Sequence, residues 1–401
     1  MYTLLPFIIY NASNLFFSFF PSTFSRMKRT LLIASQNILG NTGSSRIILA
    51  NIKHLTDAGH TVWTISEKCD KKRVAQAGGK AITVPKIKFS KYSRRVIFSK
   101  FVDIAAAILK PDIVWGQGEN LNSDIISMHN CVHLASELLN GKNAKEGSVH
   151  RLHKNFLSAH NFKYIIANSQ LMKKDLCQRF DIDPNKITVI YPGYSPDQFS
   201  LENRAENQKA LREQLGISDD KKVIGLITSG DFKKRGITTL LTAISLVPQK
   251  LRDTIAIVIV GKEKNKKKYA VEAEKLGLAE QIHILPATPE VHKLYHGLDL
   301  MVHAGPIEEF GLIILEAIVS GTPVLASQGV GAMELADTSS TDFIIPEKPD
   351  AQIFANELEK FLKDPSYTER WLALNRDRFT GSTDSKHFAE TIKFFEDKVF
   401  A

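Results

Sequence analysis

The chain has very few cysteines, and their scarcity excludes several classes of protein. Only three are present among 401 residues, at Cys69, Cys131 and Cys177. Their spacing matches neither a zinc-binding motif nor a disulfide framework, so a reduced, cytosolic setting is predicted. The hydrophobic content of 43% and the charged content of 24% are ordinary for a globular protein. At this length we expect two domains, each with its own core.

Acidic residues are absent from residues 71–100, although this segment is rich in basic ones. Ten cations of a chain with formal net charge +9 lie there: Lys71, Lys72, Arg73, Lys80, Lys86, Lys88, Lys91, Arg94, Arg95 and Lys100. Such a block attracts phosphate, whether on lipid, nucleic acid or a phosphorylated glycan. Residues 92–109 are predicted to form a helix with its cations facing outward, and a merely solvated helix is the alternative. The side chains expected to face the sheet are Val96, Ile97, Ile104 and Ile108.

Charged residues are also absent from residues 1–25, which are rich in phenylalanine, leucine and isoleucine. The segment lacks the basic start of a secretory signal, and Pro6 and Pro21 interrupt its apolar run. Residues 1–26 are therefore predicted to be an apolar extension. If it entered a membrane, the basic residues that follow would hold the rest of the chain on the cytoplasmic side. The alternative, which we favour, is that translation begins at Met27, directly before the first predicted strand.

Short apolar runs alternate with segments of helical period, which is the pattern of parallel α/β sheets. A turn-forming stretch near residues 195–220 separates two such series. We therefore predict one domain over residues 27–200 and a second over residues 201–380. The apolar stripe of residues 388–399 predicts a final helix, so residues 381–401 are expected to return to the first domain. No internal repeat or low-complexity segment is evident.

The segment over residues 306–327 carries most of the chemical information. Glu308 and Glu316 are separated by seven residues, and Gly311 lies between them, with a Gly-Thr-Pro turn after the second glutamate. A loop carboxylate followed by a helix predicts free backbone N–H groups at Gly311, Leu312 and Ile313, which attract anions and phosphate in particular. Glu316 would lie one to two turns into the helix, within reach of a ribose. The alternative is an amphipathic helix with two solvated glutamates.

This segment resembles the E-x7-E signature of retaining glycosyltransferases of family 4. These enzymes have the GT-B fold, in which two Rossmann-like, doubly wound α/β domains face a central cleft. The resemblance covers residues 27–400 and is strongest over residues 222–327. It implies that Glu308 contacts the hydroxyls of the donor sugar and Glu316 the ribose.

A basic loop follows the first predicted strand of the second half, at residues 228–236. Family 4 enzymes place an Arg/Lys pair here to hold the donor diphosphate, and Arg235 and Lys234 match that position. The loop is similar to that of enzymes that add glucose to the heptose of the lipopolysaccharide core, but its two basic residues come in the reverse order. A solvated basic turn is the alternative.

Three further positions are assigned by residue type and by resemblance. Gly43 belongs to a glycine loop that leads from the first strand into a helix and lets the backbone approach a diphosphate or sugar. Gly261 ends a strand that flanks the nucleotide in the similar enzymes. His129 ends a strand in the first half and matches a histidine that contacts the donor sugar. A structural role is the alternative for His129 and a plain loop for Gly43.

The resemblance implies a hexosyltransferase without metal or other cofactor, which moves glucose from a UDP-sugar to a lipopolysaccharide core or related glycolipid. Asp181 and Asp183 have the spacing of a metal-binding Asp-x-Asp motif, but they precede a strand at a predicted helix exit and are not expected to bind metal. Residues 86–100 are expected to dock on an anionic membrane surface at its cytoplasmic side, without nucleic acid as a partner. A sugar-nucleotide epimerase and a non-enzymatic phosphate- or nucleic-acid-binding protein remain as alternatives.

Overall fold

The computed structural model describes residues 28–39, 43–141, 145–337, 343–345, 350–364 and 366–400. The predicted extension over residues 1–26 and residues 40–42 of the glycine loop lie outside the described residues. Within the described ranges, no helix combines the length and the apolar character that crossing a bilayer requires.

The first half of the chain forms a seven-stranded parallel sheet with the strand order β5-β3-β1-β6-β7-β8-β9. The strands of this sheet are β1 (Thr30–Ala34), β3 (Thr61–Ser66), β5 (Lys80–Thr83), β6 (Ile113–Gly116), β7 (Ile125–Ser127), β8 (Tyr164–Ala167) and β9 (Ile187–Val189). Two further short strands, β2 (Asn37–Ile38) and β4 (Lys68–Cys69), pair with each other in a separate ladder. The helices between them are α1 (Gly43–Asp57), α2 (Lys71–Gln76), α3 (Lys91–Leu109), α4 (Val132–Asn140), α5 (Ser148–Ala159) and α6 (Gln170–Phe180).

The second half forms a six-stranded parallel sheet with the order β12-β11-β10-β13-β14-β15. Its strands are β10 (Lys222–Ile227), β11 (Ile255–Val260), β12 (Ile282–Leu285), β13 (Leu300–His303), β14 (Val324–Ser327) and β15 (Ile344–Ile345). The helices are α7 (Arg204–Leu215), α8 (Ile237–Leu246), α9 (Gln249–Arg252), α10 (Lys266–Lys275), α11 (Val291–Gly297), α12 (Leu312–Val319), α13 (Ala351–Lys363), α14 (Tyr367–Thr380) and α15 (Asp384–Phe394).

Both sheets are covered on their two faces by helices, and this explains the continuous apolar runs of their central strands. Every residue of β11 is buried, and so are all but the first of β10. In the first domain, Leu31 of β1 pairs in register with Ile113 of β6, and both side chains lie in the core. Two parallel sheets flanked by helices confirm the predicted α/β class.

Helix α15 packs against the first domain although it follows the second in sequence. Phe394 and Phe395 lie in the first domain's core, where the ring of Phe395 meets that of Trp115 with centroids 4.9 Å apart. The Phe388 ring stacks on the His54 imidazole of α1 at 4.5 Å. The chain therefore crosses between the domains twice, near residue 190 and again before α15.

The predicted orientation of α3 is wrong. Its sheet-facing residues are Phe98, Val102 and Ala105, whereas Ile104 and Ile108 are 55% and 75% exposed. Phe98, Val102 and Ala105 are spaced four and then three residues apart, so they form one stripe of the helix that packs on the sheet. Ile104 lies outside this stripe. The same rotation turns two predicted outward cations inward. Arg94 pairs with the buried Glu67, and Arg95 donates to Gln36 Oε1 at 2.9 Å.

Candidate functional site

The predicted site residues come from loops at the carboxyl ends of parallel strands, which is where open α/β sheets bind ligands. In the second domain, the loop after β10 carries Lys234 and Arg235, and the loop after β13 carries Glu308. In the first domain, His129 follows β7. Contacts between the two domains bring these strand ends to one cleft.

Close packing at glycines holds the two second-domain loops together. A Cβ at Gly236 would lie 2.2 Å from the Ala304 carbonyl, and one at Gly305 would lie 2.2 Å from the Lys234 carbonyl. Gly236 also has φ +73°, which favours glycine. The backbone of the loop with the two cations is therefore pressed against the loop that leads to Glu308.

Glu308 is held rigidly at the centre of this arrangement. Its backbone N–H donates to Gly329 O and its own carbonyl accepts from Gly331 N–H, each at 2.9 Å. Its carboxylate forms an ion pair with Arg235, and His303 Nε2 lies 3.7 Å from the same oxygen. Burial alone would raise the pKa of Glu308, but the neighbouring His303, Arg235 and Lys234 outweigh it and lower the pKa to about 2. Glu308 is therefore an anion at neutral pH.

Several polar atoms of this cluster are buried without a hydrogen-bond partner among the described residues. They are Arg235 Nε and Nη1, both ring nitrogens of His303, and Glu308 Oε2. The Arg235–Glu308 contact is thus a charge pair without good hydrogen-bond geometry. Unsatisfied buried polar atoms are costly, and a polar ligand in the cleft would satisfy them. Burial also lowers the pKa of His303, so its imidazole is neutral at pH 7.

Helix α12 begins directly beside Glu308. Gly311 precedes its first residue with φ +94°, and a Cβ there would lie 3.0 Å from Glu308 Cγ. The N–H groups of Leu312 and Ile313 have no intrahelical acceptor, because they belong to the first turn. The structure therefore places an anion-attracting helix end next to Lys234 and Arg235, as predicted from the sequence.

Glu316 lies one turn into α12 on its buried side. Tyr295 Oη donates to Glu316 Oε2 at 3.0 Å, and Arg46 Nη2 of α1 lies 3.7 Å from Glu316 Oε1. Burial raises the pKa of Glu316 to about 7, and Arg46 and Tyr295 only partly offset the effect. Arg46 had no predicted role, and since it lies in the first domain, only the tertiary structure could reveal this contact.

Gly43 and Gly261 take different places. A Cβ at Gly43 would lie 3.4 Å from Leu312 Cδ1, so the start of α1 directly faces the start of α12. A Cβ at Gly261 would lie 2.7 Å from the Phe232 ring and 3.0 Å from Thr228 O. Gly261 thus lets the strand end pass beneath the cationic loop, while Gly43 borders the cleft itself.

His129 lines a cavity of about 380 Å³ in the first domain. Its Nε2 lies 2.9 Å from Gln117 Oε1, and desolvation lowers its pKa to about 4, so the ring is neutral at pH 7. Glu119 lies in the same cavity and accepts hydrogen bonds from Ser35 Oγ at 2.9 Å and from Gln36 N–H at 2.6 Å. Arg95 lies 4.0 Å from Glu119. The structure brings Lys234, Arg235, Glu308 and the start of α12 together and places His129 across the cleft.

Two carboxylates that contact the other domain were not predicted. Glu309 bonds Lys234 and the backbone of Cys131, and Glu334 bonds the backbone at the start of α6. Both partners are distant in sequence, so no local pattern could reveal them. Asp181 and Asp183 have local roles: Asp181 ends α6 in the left-handed conformation, and Asp183 accepts from Asn185 N–H at 2.9 Å.

Two parallel-sheet domains that face each other across a cleft, with an anion-attracting helix end beside two cations, form the arrangement that the resemblance to GT-B enzymes implied. Comparison with known proteins supports this assignment. Residues 41–198 match the profile described as Glycosyltransferase Family 4, and residues 207–377 match Glycosyl transferases group 1. The chain belongs to the GT-B glycosyltransferases of family 4.

Two curated relatives illustrate the similarity. The chain is 27% identical over 218 residues to the lipopolysaccharide glucosyltransferase WaaG of Escherichia coli strain K12. The aligned segment covers 54% of this chain and 55% of that protein. It is also 27% identical over 219 residues to a D-inositol 3-phosphate glycosyltransferase of Segniliparus rotundus. This second aligned segment covers 53% of this chain and 46% of that protein. The chain thus matches only about half the length of these relatives.

Solved structures show the same fold along nearly the whole chain. The crystal structure of WaaG superimposes with a TM-score of 0.74 at 19% identity, covering 91% of this chain and 99% of that one. Anabaena Alr3699/HepE in complex with UDP and glucose superimposes with a TM-score of 0.71 at 18% identity, covering 92% and 99%. At this level of identity the likeness establishes the fold alone.

Proposed function

We propose that this glycosyltransferase is a retaining hexosyltransferase that moves glucose from UDP-glucose to a lipopolysaccharide core or related glycolipid. The observation that carries the proposal is the convergence of Lys234, Arg235 and the free amides of α12 beside the anionic Glu308. A relative named as a lipopolysaccharide glucosyltransferase and a neighbour solved with UDP and glucose support the choice of acceptor and donor.

The cations and the helix end would stabilise the diphosphate leaving group without a metal ion. One cation about 4 Å from a phosphate contributes roughly 4 kcal/mol at an effective dielectric near 20. Lys234 forms an ion pair with Glu309, and Arg235 forms one with Glu308. The orphaned N–H groups of Arg235 are then available to phosphate oxygens once a diphosphate enters.

Glu308 would accept hydrogen bonds from hydroxyls of the donor sugar, since its low pKa keeps it an acceptor at neutral pH. Glu316 would take the ribose, and the neutral His129 would contact the donor sugar from the first domain. In the retaining mechanism that the resemblance implies, the acceptor hydroxyl attacks on the face of the departing diphosphate, which takes up its proton. The chemistry requires both domains, so domain closure would gate it.

The first-domain surface around α3 would dock on the anionic inner leaflet. Lys86, Lys88, Lys91 and Lys100 are exposed there, together with Phe89, which is 70% exposed, and the outward-facing Ile104 and Ile108. Each lysine near an anionic surface contributes about 1 kcal/mol, and the apolar side chains can enter the headgroup region. Arg94 and Arg95, which are paired within the domain, are not part of this docking surface. The enzyme would thus act as a peripheral protein on the cytoplasmic face.

Calorimetry with UDP, ADP and GDP tests the donor half of the proposal. We expect UDP to bind and UDP-glucose to be consumed only slowly until a lipopolysaccharide core acceptor is added. A folded protein that gives no heat with any of the three nucleotides would refute the proposal. Formation of a new sugar nucleotide without an acceptor would identify an epimerase instead.

Vesicle co-sedimentation tests the docking surface. Binding to vesicles that contain anionic lipid is expected to exceed binding to neutral vesicles. It should also weaken as the salt concentration rises, because added salt screens the attraction between exposed charges. Exchanging Lys86, Lys88, Lys91 and Lys100 for glutamine should abolish the difference. Equal binding to both vesicle types would contradict docking through this surface.

A further inference from the structure

A buried carboxylate beside the predicted site, Glu309, connects the two domains. Glu309 lies where the two domains meet and is only 4% exposed. Oε1 accepts a hydrogen bond from the backbone N–H of Cys131 in the first domain at 3.1 Å. Oε2 accepts from Lys234 Nζ in the second domain at 2.6 Å. One carboxylate thus touches both a diphosphate-binding cation and the opposite domain.

We propose that Glu309 is a positioning residue that couples domain closure to the placement of Lys234. The inference rests on the proposed function, in which Lys234 binds the donor diphosphate. When the domains are apart, Cys131 cannot bond Glu309, and the carboxylate keeps its rotamer freedom. When they close, the Cys131 amide fixes one oxygen, and the other oxygen then holds the ammonium group of Lys234 at one place.

The first-domain end of this contact is built for a carboxylate. Cys131 is the N-cap of α4, and no side chain of its own segment caps that helix. A glutamate that accepts from an N-cap N–H is the second half of a capping box, here supplied by the other domain. The positive end of the α4 dipole also favours a negative charge. Cys131 follows His129 by two residues, so the same bond fixes the segment that carries His129.

A second cross-domain carboxylate provides a matched comparison. Glu334 accepts hydrogen bonds from the N–H groups of Gln170 at 2.8 Å and Leu171 at 2.7 Å, at the start of α6. Tyr191 Oη donates to it at 2.9 Å. Glu334 therefore also caps a first-domain helix from the second domain. It has no contact with Lys234 or Arg235 among these hydrogen bonds, so it joins the domains without holding a site cation.

The negative charge of Glu309 and its hydrogen bond to Lys234 should have separable effects on ligand binding and turnover. Its negative charge next to Lys234 weakens the attraction of that cation for an anionic diphosphate. Removing the charge should therefore leave UDP affinity unchanged or raise it. The lost hydrogen bond leaves Lys234 free to move, and a misplaced cation stabilises the leaving group poorly. A purely structural residue would not produce this opposition.

The experiment compares Glu309→Gln with Glu334→Gln in the full chain. UDP affinity is measured by calorimetry, and turnover is measured as hydrolysis of UDP-glucose to UDP and glucose. For E309Q we expect kcat to fall at least about tenfold, the scale for losing part of one preorganised electrostatic contact, while the Kd for UDP stays equal or decreases. For E334Q we expect a lower Tm, with kcat and Kd within about twofold of wild type.

A third variant, Glu309→Asp, keeps the charge but shortens the side chain. It should lose turnover as E309Q does while its UDP affinity remains at the wild-type value. E309Q and E309D variants that keep wild-type kcat, or an E309Q variant that matches E334Q in every measurement, would overturn the role of Glu309. A wild-type protein that binds no UDP would instead overturn the proposed function, and this inference with it.

Discussion

The two faces of the cleft are built differently. On the second-domain face, Arg235 and Glu308 form a compact charged pair beside the neutral His303, and all three side chains are at most 14% exposed. On the first-domain face, His129 and Glu119 line an open cavity of about 380 Å³. One face has its charges already in place, while the other leaves room for a ligand of substantial size.

In the proposed function, this difference matches the two halves of a transfer reaction. A diphosphate is small, highly charged and the same in every nucleoside-diphosphate sugar, so a preorganised cluster with two cations suits it. An acceptor varies in shape, so in the proposed function we assign it to the first-domain cavity, beside the position where His129 would contact the donor sugar. We therefore expect substitutions on the second-domain face to change turnover or stability, and those on the first-domain face to change acceptor binding.

The largest effect is expected for Arg235→Ala. In the proposed function Arg235 contacts the leaving group, and losing one such preorganised contact should lower turnover about 10²–10³-fold. The matched control is Lys233→Ala, because Lys233 is an exposed cation of the same loop that donates to Asn140 Oδ1 at 2.7 Å. Steady-state kinetics with UDP-glucose measures both. If the two variants lost turnover equally, Arg235 would have no special place in the site.

Glu308→Gln tests the stability of the charged cluster. Removing one partner of a buried ion pair leaves the other uncompensated, so the free energy of unfolding at pH 7 should fall by about 3 kcal/mol. The ordinary pKa of this carboxyl is 4.5 and its folded value is about 2. The stability that it contributes is therefore complete above pH 4.5 and disappears as the pH falls towards 2.

Urea unfolding of E308Q and wild type between pH 7 and pH 3 measures this dependence. The difference between the two proteins should stay constant down to about pH 5 and narrow below it. A difference that did not change with pH would show that Glu308 contributes through packing rather than through its charge.

The smallest effect is expected on the first-domain face. Arg95→Ala removes a cation from the cavity wall and should raise the KM for a lipopolysaccharide core acceptor about tenfold, the scale of one charged hydrogen bond. UDP affinity should not change. Arg94→Ala is the control, since Arg94 pairs with the buried Glu67 outside this cavity and should affect Tm alone. A change in UDP affinity for R95A would erase the distinction between the two faces.

Local patterns predicted the second-domain face far better than the first. Glu308, Gly311 and Glu316 lie within one short segment. A strand followed by a loop and a helix brings such residues to the carboxyl end of the strand, so their proximity could be predicted. The first-domain cavity instead takes Ser44 from α1, Arg95 from α3, Glu119 from the β6–β7 connection and His153 from α5. These residues are far apart in the sequence, and among the residues that line the cavity only His129 was predicted to contact the substrate.

The orientation of α3 was mistaken for a related reason. A helix with apolar residues on several faces does not reveal which stripe meets the sheet, and the buried Glu67 that draws Arg94 inward lies 27 residues earlier. The predicted basic surface was therefore too broad, and its exposed part reduces to four lysines.

Apolar alternation and short-range spacing were enough to establish the parallel α/β class, the break between two series of strands and the carboxylate–glycine–helix segment, because each depends on neighbours along the chain. The cross-domain contacts of Arg46, Glu309 and Glu334 emerged only once the domains were packed together. Those contacts depend on where two separately formed sheets meet. Cys131 and Glu309, for example, are 178 positions apart in the sequence and become hydrogen-bonded there.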